Sequence, residues 1–528
     1  MKDMACIWLP GIVACVARFL SPNEIACSLR LIDKATSQQF AGFKSVSLSR
    51  PSPVHAFKRR WGAPEAFRAL TLEQRLKLLN LTAASGSVAN LEVALGGVGL
   101  LLAIRSEPLE AAAIAAQLEA CMLLRERGCP WGSSLASAAK AGHRHVCEWM
   151  LASGCPLTAD AVYDTAHGGH EGLMLWLRGI SHVDNDINIV AEELFYAAAH
   201  GLGLAALQRL HQQLLSEQQQ QRPGGGEAQQ HPALDQGQAL AAAAGSPTPD
   251  WQAKVAWLEA QQYPPTHQVC VEAAGRGPGG DAVGRLQWLH GRGYPMVEAA
   301  VNIAASKGDS ASLQFLLEQA GVQPGNFAWL LAASDGHLAI LQYLHGRGVA
   351  IYAVEVVRSA ASGGHLHVVA WAVETLGVTP DNAGGLLDEA AESGSIELMA
   401  WLRDRGWAWA SLTVRKAAEC GCEEAMEWLV ERGCPLPMNG VPYLEAASQC
   451  DVAMVRCLQR LGCPWGPNLL GRCVQNLVDV HMLQCLVELG CPVDWELTLK
   501  SAERSRPGEY RTAVRAWIEQ EQQRRSGG

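Results

Sequence analysis

Small, apolar and polar positions recur along most of the chain in a unit of about 28 residues, as in repeat proteins. Each unit has a short stretch ending in a small-residue pair such as Ala138-Ala139, then a turn containing glycine, then a second apolar stretch ending at a glycine. Apolar residues within a stretch recur three and four positions apart, which is the spacing of one helical face. The pattern therefore predicts a repeated helix–turn–helix unit.

The copies of this unit share the small-residue pair and the glycine turn, but differ in how clearly the second stretch is patterned. The clearest are residues 134–151, 329–345, 357–373 and 414–430, and weaker ones are residues 81–95, 195–210 and 240–259. From Gly293 onward the closing glycines are 27 to 29 residues apart. Turn glycines such as Gly142 and Gly336 predict positive φ at the end of each first helix.

Tryptophan is concentrated at one position of the repeat. The second helix of each unit carries an aromatic residue, and this position takes eight of the 17 tryptophans. These eight are predicted repeat packing anchors: Trp149, Trp176, Trp257, Trp288, Trp371, Trp401, Trp428 and Trp517.

The stretch AAKAGHRHVCEWMLASGCP (138–156) resembles the ankyrin repeat, and the resemblance covers residues 78–520. These units are shorter than the family's unit of about 33 residues. They also lack its Thr-Pro-Leu-His turn, where residues 132–135 read Gly-Ser-Ser-Leu. The resemblance implies an all-α ankyrin-like solenoid with short or absent fingers, which binds a protein client and has no chemistry of its own.

Residues 128–156 hold Cys129, His143, His145, Cys147 and Cys155, which raises the alternative of a zinc site. The repeat argues against it, because positions equivalent to Cys129 hold valine, tyrosine and tryptophan in other units. A free cysteine behaves as a small apolar residue at such a half-buried position. We therefore expect packing, with no metal and no cofactor.

The N-terminal residues 8–40, WLPGIVACVARFLSPNEIACSLRLIDKATSQQF, do not follow the repeat. They resemble an F-box: a Leu-Pro pair, an amphipathic helix, a Leu-Ser-Pro-Asn-Glu break and a second helix with Leu-Arg. The resemblance implies that nine residues form or support a face that meets a Skp-type adaptor of a cullin–RING ubiquitin ligase. They are Leu9, Pro10, Ile12, Val13, Val16, Phe19, Leu20, Pro22 and Ile25.

Two alternatives stay open for this N-terminal segment. It could be a helical cap that covers the apolar face of the first repeat, since solenoids need such caps. It could also act as a signal or at a membrane surface. The chain would be a ligase substrate receptor with the F-box interpretation, and an ankyrin scaffold with no ligase link with the cap interpretation.

The expected organisation follows from these patterns and from changes in composition. Residues 1–45 form the F-box-like module or cap, 46–77 a basic connector, and 78–215 the first block of ankyrin-like repeats. Residues 216–238 are a Gln/Gly/Pro-rich disordered linker or loop, 239–520 the second block, and 521–528 a disordered tail.

Composition narrows the partners and the compartment. The net charge of −10 argues against a nucleic-acid partner, whose binding domains are usually basic. Seventeen cysteines in 528 residues suit reduced thiols in the cytoplasm or nucleus. No apolar stretch reaches the about 18 residues of a membrane span.

Motifs for catalysis are missing, so we expect no catalytic residues and no enzyme. The Gly-rich residues 275–281 lack the lysine and hydroxyl of a phosphate-binding loop. A remote alternative comes from resemblance alone: some large groups of ankyrin proteins carry the label of sphingomyelin phosphodiesterases. Such a hydrolase would need metal-ligand or acid/base clusters, which the sequence does not suggest.

Overall fold

A computed structural model describes residues 10–183, 188–220, 238–504 and 508–526. The chain is 67% helical, and no β-strand occurs within those ranges. It is an all-α helical-repeat solenoid, so the predicted fold class is confirmed at that level.

Thirty-four α-helices occur in the described residues, most of them short. The first nine are α1 Pro10–Ala17, α2 Pro22–Cys27, α3 Lys34–Gln39, α4 Val54–Trp61, α5 Leu72–Ala84, α6 Val88–Gly97, α7 Glu107–Ile114, α8 Leu118–Glu126 and α9 Ser134–Lys140. The next nine are α10 Arg144–Ala152, α11 Ala159–His167, α12 Glu171–Val183, α13 Ala191–Gly201, α14 Leu204–Gln220, α15 Gln238–Gly245, α16 Trp251–Ala260, α17 Gln268–Gly275 and α18 Ala282–Gly291.

The remaining sixteen α-helices continue the alternation of first and second helices. Eight of them are α19 Glu298–Ser306, α20 Ser310–Gln314, α21 Asn326–Ser334, α22 Leu338–Gly346, α23 Ala353–Ser362, α24 Leu366–Leu376, α25 Leu386–Ser393 and α26 Ile396–Asp404. The last eight are α27 Thr413–Cys420, α28 Glu423–Glu431, α29 Val441–Ser448, α30 Val452–Arg460, α31 Leu469–Gln475, α32 Val480–Glu488, α33 Trp495–Arg504 and α34 Glu509–Ser526. Short 3-10 turns cover Leu29–Leu31, Pro64–Phe67 and Leu102–Ile104, and a π-helix, Phe315–Gln319, follows α20.

The chain divides into two compact units. One comprises Met1–Ser134, Ala391–Ile396 and Trp409–Gly528, and the other comprises Leu135–Ala390 and Glu397–Ala408. In the second unit, first helices stack in order from α11 through α13, α15, α17, α19 and α21 to α23. The small-residue pairs form the seam: Ala332 and Ala333, for example, are fully buried. Alanine allows this close approach because it brings no side chain beyond Cβ.

Turn glycines are required where a histidine of the following repeat lies over the backbone. Gly142 has a φ of +80°, and a Cβ there would collide with the ring of His170. Gly336 has a φ of +77° and lies under His365 in the same way. The positive φ and the close approach of the histidine ring both require glycine, which adopts positive φ without strain and has no Cβ.

Histidines also tie successive turns together through hydrogen bonds. His337 Nε2 donates to Ser306 O at 2.9 Å, and His365 Nε2 donates to Ser334 O at 2.8 Å. These carbonyls end a first helix and have no partner within it. The histidine of each following repeat therefore satisfies an acceptor that the helix leaves open.

Where a repeat lacks this histidine, a buried cation can bind the open carbonyls instead. Lys254 donates to Ala199 O at 2.7 Å, Leu202 O at 2.9 Å and Ser246 Oγ at 2.7 Å. Burial lowers the pKa of Lys254 to about 8, since a charged ammonium is less well solvated there. With His200 O at 3.3 Å, four acceptors hold the Lys254 ammonium at the end of α13.

In the first unit, two segments that are far apart in the chain pack together. Their contacts, those of residues 68–105 with residues 421–453, are hereafter the closing interface. Fully buried Arg75 donates to Asp451 Oδ1 at 3.0 Å, and to the carbonyls of Val98 at 2.8 Å and Gly421 at 2.9 Å. Asp451 also accepts from Met454 N at 3.0 Å and so caps α30. The pair is satisfied on both sides, as a buried ion pair must be.

Backbone bonds extend the closing interface on either side of Arg75. Glu424 N donates to Arg68 O at 3.1 Å, and Ala453 N donates to Gly99 O at 3.1 Å. Leu100 forms an isolated β-bridge with Asp451. Main-chain bonds of this kind fix the register of the two segments.

Helices lie within or cross several of the predicted segments. Residues 54–61 of the predicted connector form α4, and α14 runs into the predicted linker as far as Gln220. Residues 221–237 lie outside the described part of the chain. Helix α34 passes through Glu521, which binds Arg524 one turn on, so the helix continues into the predicted tail.

None of the helices in the described ranges combines the length and the apolar character that a membrane crossing requires.

Candidate functional site

Residues 10–43 form a small helical module with its own core, hereafter the N-terminal module. Val13 from α1, Ile25 from α2 and Leu29 are buried together, and Leu20 and Phe43 pack against them. Ser21 caps α2 by accepting from Glu24 N, while the Glu24 carboxylate accepts from Ser21 N at 2.8 Å. This capping box fixes the sharp turn between α1 and α2.

A second face of α1, beside the buried one, carries apolar side chains that are exposed to solvent. Ile12 and Val16 are exposed on α1, and Phe19, just after it, is 90% exposed. Their spacing of four and three residues places them on one face, hereafter the α1 stripe. A phenylalanine with this exposure leaves a large apolar surface in water, which marks interaction sites when it is part of a patch.

The nine residues implied by the F-box resemblance separate into core and surface. Ile12, Val16 and Phe19 form the α1 stripe, whereas Val13 and Ile25 are buried and Leu20 is half-buried in the module core. The two prolines are exposed at the starts of helices, Pro10 in α1 and Pro22 in α2. Leu9 lies outside the described residues.

Sequence reasoning missed two exposed apolar residues of the module. Leu31 and Ile32 follow the buried Leu29 and are each 54% exposed. Their signal was a run of apolar residues longer than one helical face can bury. The resemblance had drawn attention to the first two helices only.

The first repeat is capped by a different part of the chain. Helix α4 packs on α6, where Phe57 is buried, and the ring of Phe67 lies against Gly97 of α6. Asn23 ties the N-terminal module to the segment before α4, donating to Ser47 O at 2.8 Å and Pro51 O at 3.0 Å. The module is thus anchored through α2, which leaves the α1 stripe free.

The cysteines considered for zinc occupy packing positions. Cys129 and Cys147 are fully buried and Cys155 is nearly so. Burial raises the pKa of Cys129 to about 11 and that of Cys147 to about 12. Metal binding needs the thiolate, which such environments disfavour.

One group of possible metal ligands does come together in the described residues: Glu423, Glu427 and Cys457. The carboxylates already have counter-charges, because Arg460 binds Glu423 at 3.2 Å and also binds Glu427. Arg68 binds Glu427 as well. These ion pairs belong to the closing interface and its surroundings, and they account for the cluster without a cation.

The predicted tryptophan anchors lie at the edge of the core. Only Trp517 is buried, and the other seven are half-buried. The residue that follows each of them is fully buried, as at Leu402 after Trp401 and Leu429 after Trp428. An arginine covers several of the rings from four residues on, such as Arg405 at 3.8 Å from the centroid of Trp401. The tryptophans therefore lie at the rim of each repeat, between its buried core and the solvent.

The sequence matches no protein-family model and no curated protein. Among solved structures it is similar to the pentatricopeptide repeat protein PPR10 in complex with an 18-nt psaJ RNA element, at 12% identity and a TM-score of 0.30. That alignment covers 94% of this chain and 78% of the other. PPR10 from maize also matches, at 15% identity and a TM-score of 0.22, covering 97% of this chain and 93% of the other.

These matches correct one expectation. The negative charge argued against a nucleic-acid partner, but matched structures of PPR10 hold RNA, which contradicts that expectation. Net charge averages over the whole chain, and it says little about any one surface of a long solenoid. TM-scores of this size do not transfer the RNA to this chain. The helices of the described residues give an all-α helical-repeat protein.

Proposed function

We propose that this chain is a substrate receptor of a cullin–RING ubiquitin ligase. Its N-terminal module docks a Skp-type adaptor through the α1 stripe, and its helical repeats hold the client. The single observation that carries the proposal is the exposure of Ile12 and Val16 on α1, and of Phe19 just after it, beside a face of α1 that is buried at Val13 in the module's own core.

The position of the cap supports this proposal over a plain scaffold. A module that only capped the solenoid would turn its apolar face onto the first repeat. That place is taken by Phe57 and Phe67, which pack at α6. An apolar stripe that does not cover the first repeat is suited to bind another protein.

The repeats are proposed to be divergent ankyrin units. Support comes from the glycine–histidine turns, in which His337 and His365 bind carbonyls of the preceding repeat. These bonds appear where the sequence resembles the family's Ala-Ala-x-x-Gly-His pattern. The stacked first helices give the client a long, continuous surface.

Calorimetric titration of a purified Skp-type adaptor into the full-length chain tests the proposal. We expect binding by the native chain, and a loss of at least ten-fold in affinity with Ile12→Asp and Phe19→Asp combined, because the charges would have to be buried in an apolar contact. Circular dichroism should show both forms equally helical, since neither residue belongs to the module core.

Phe327→Asp is the matched control, since Phe327 is 61% exposed on α21 of the repeats. It should leave adaptor affinity unchanged. The ligase proposal fails if the native chain shows no heat of binding, or if the control loses affinity as strongly as the α1 variant. The client retained by the repeats can then be classified by its sensitivity to protease or to nuclease.

A further inference from the structure

We propose that a groove between the N-terminal module and α4 receives an acidic segment of the docked adaptor, with an apolar side chain inserted between basic residues. This inference rests on the proposed function and names the chemistry of the partner's contact. The groove, hereafter the basic groove, lies outside the nine residues that the F-box resemblance implied.

The basic groove is a recess of about 560 Å³. Ala26 and Leu31 of the module line one side of the recess, and Phe57 and Trp61 of α4 line the other. Val46, from the segment that joins the module to α4, also lines it. Its lining is mainly apolar, and it is large enough for one or two apolar side chains. A flat membrane or a phosphate backbone would not fill such a recess, whereas a leucine or phenylalanine of a protein segment would.

The charge around the groove is of one sign. Residues 34–64 contain six lysines and arginines and no acidic residue. Arg59 and Arg60 line the groove and are exposed at the end of α4. The Arg60 guanidinium lies 4.1 Å from the centre of the Trp61 ring, which holds it at the rim.

The nearest acidic residues of the module are already occupied. Glu24 accepts from Ser21 N in its capping box, and Asp33 accepts from Thr36 N at 2.8 Å to cap α3. Residues 10–61 hold eight lysines and arginines against these two carboxylates, so the segment that forms the groove keeps a positive charge. A partner segment with carboxylates beside its apolar anchor is complementary to it.

The adaptor is the occupant that the geometry favours because the module that carries the α1 stripe also lines one side of the groove. A specific interface covers about 800 Å² on each partner, more than three side chains on α1 provide. Exposed Leu31 is part of the groove lining and belongs to the same module as the stripe. An adaptor docked on the α1 stripe would gain contact area by extending onto this side of the module.

Two variants of the full-length chain separate charge from shape. Arg59→Glu with Arg60→Glu reverses the rim, and Ala56→Phe fills the recess without a change of charge, as Ala56 lines it. Arg456→Glu with Arg504→Glu is the charge-matched control on exposed arginines of α30 and α33. Each is titrated with purified Skp-type adaptor at about 0.05 M and about 0.5 M salt.

We expect the rim reversal to weaken adaptor binding at least ten-fold at low salt and less at high salt, because ions screen the contact. Filling the recess should weaken it at both salt concentrations, and the control should match the native chain. Adaptor binding that the α1 variant abolishes but neither groove variant weakens would overturn this inference and leave the ligase proposal standing. No binding by the native chain would overturn both.

Alkylation of thiols gives a readout that does not depend on substitutions. Cys27 lines the basic groove, and Cys485 is a half-buried cysteine of α32. In the native chain, saturating adaptor should slow alkylation of Cys27 several-fold and leave Cys485 unchanged. Equal rates at Cys27 with and without bound adaptor would contradict occupancy of the groove. Protection by vesicles of anionic phospholipid and not by adaptor would assign the groove to a membrane surface and overturn the inference.

Discussion

Arg75→Met is expected to lower the free energy of unfolding by about 3–5 kcal/mol, the range for breaking a buried ion pair by removal of one partner. The loss arises because Asp451 would remain buried with no counter-charge, and the carbonyls of Val98 and Gly421 would lose a donor. Chemical denaturation of the full-length chain, followed by circular dichroism, measures it. The first unit should lose structure at lower denaturant than in the native chain.

A double variant isolates the charge from the shape of the site. Arg75→Met with Asp451→Asn leaves no unpaired charge, and the asparagine can still cap α30 at Met454 N. It should be more stable than Arg75→Met alone. Lys500→Met, which removes an exposed ion pair with Glu496, is the control and should leave the midpoint unchanged. A native-like midpoint for Arg75→Met would mean that the closing interface contributes little to the fold.

Leu402→Ala is expected to destabilise the second unit by about 2–5 kcal/mol, more than Trp401→Ala in the same helix. Leu402 is fully buried, so its truncation leaves a cavity, whereas Trp401 is half-buried under Arg405. Trp401→Ala should cost about 2 kcal/mol, from the covered part of the ring and its contact with the guanidinium.

Thermal melting of the two variants, each compared with the native chain, shows whether the tryptophan at the rim or the leucine in the core contributes more to stability. A larger loss for Trp401→Ala than for Leu402→Ala would restore the tryptophans as the main anchors of the repeat. Equal losses would mean that the rim and core contribute alike.

Much of the fold could be predicted from the sequence because repetition multiplies each signal. The alanine pairs, the turn glycines and the closing glycines predict helix–turn–helix units, and Ala332, Ala333 and Gly336 lie where that pattern requires. The role of the eight tryptophans as packing anchors stays a prediction. An aromatic residue and the leucine after it share the same period, so periodicity alone does not say which of the two faces inward.

The closing interface had no signal in the sequence. Arg75 and Asp451 are 376 residues apart in the chain, and neither is part of a motif. A buried pair between segments so far apart in the chain depends on tertiary packing, which local sequence patterns do not encode. The basic character of the connector, residues 46–77, was visible in the sequence, but only the fold shows that Arg59 and Arg60 border an apolar recess.

The alternatives for the N-terminal segment were balanced in the sequence for a physical reason. A cap and a docking module need the same amphipathic helices, and the choice depends on what covers the second face. The capping aromatic residues, Phe57 and Phe67, lie in the segment predicted as a connector. Their burial was not predictable because only packing against α6 reveals it.

Hydrogen–deuterium exchange of the full-length chain, alone and with saturating Skp-type adaptor, tests the central claim most directly. The account predicts slower exchange of backbone amides in residues 10–32, with α5, Leu72–Ala84, unchanged as an internal reference. Protection confined to the repeats, or no change in residues 10–32 at saturating adaptor, would contradict the assignment of the N-terminal module as the docking surface.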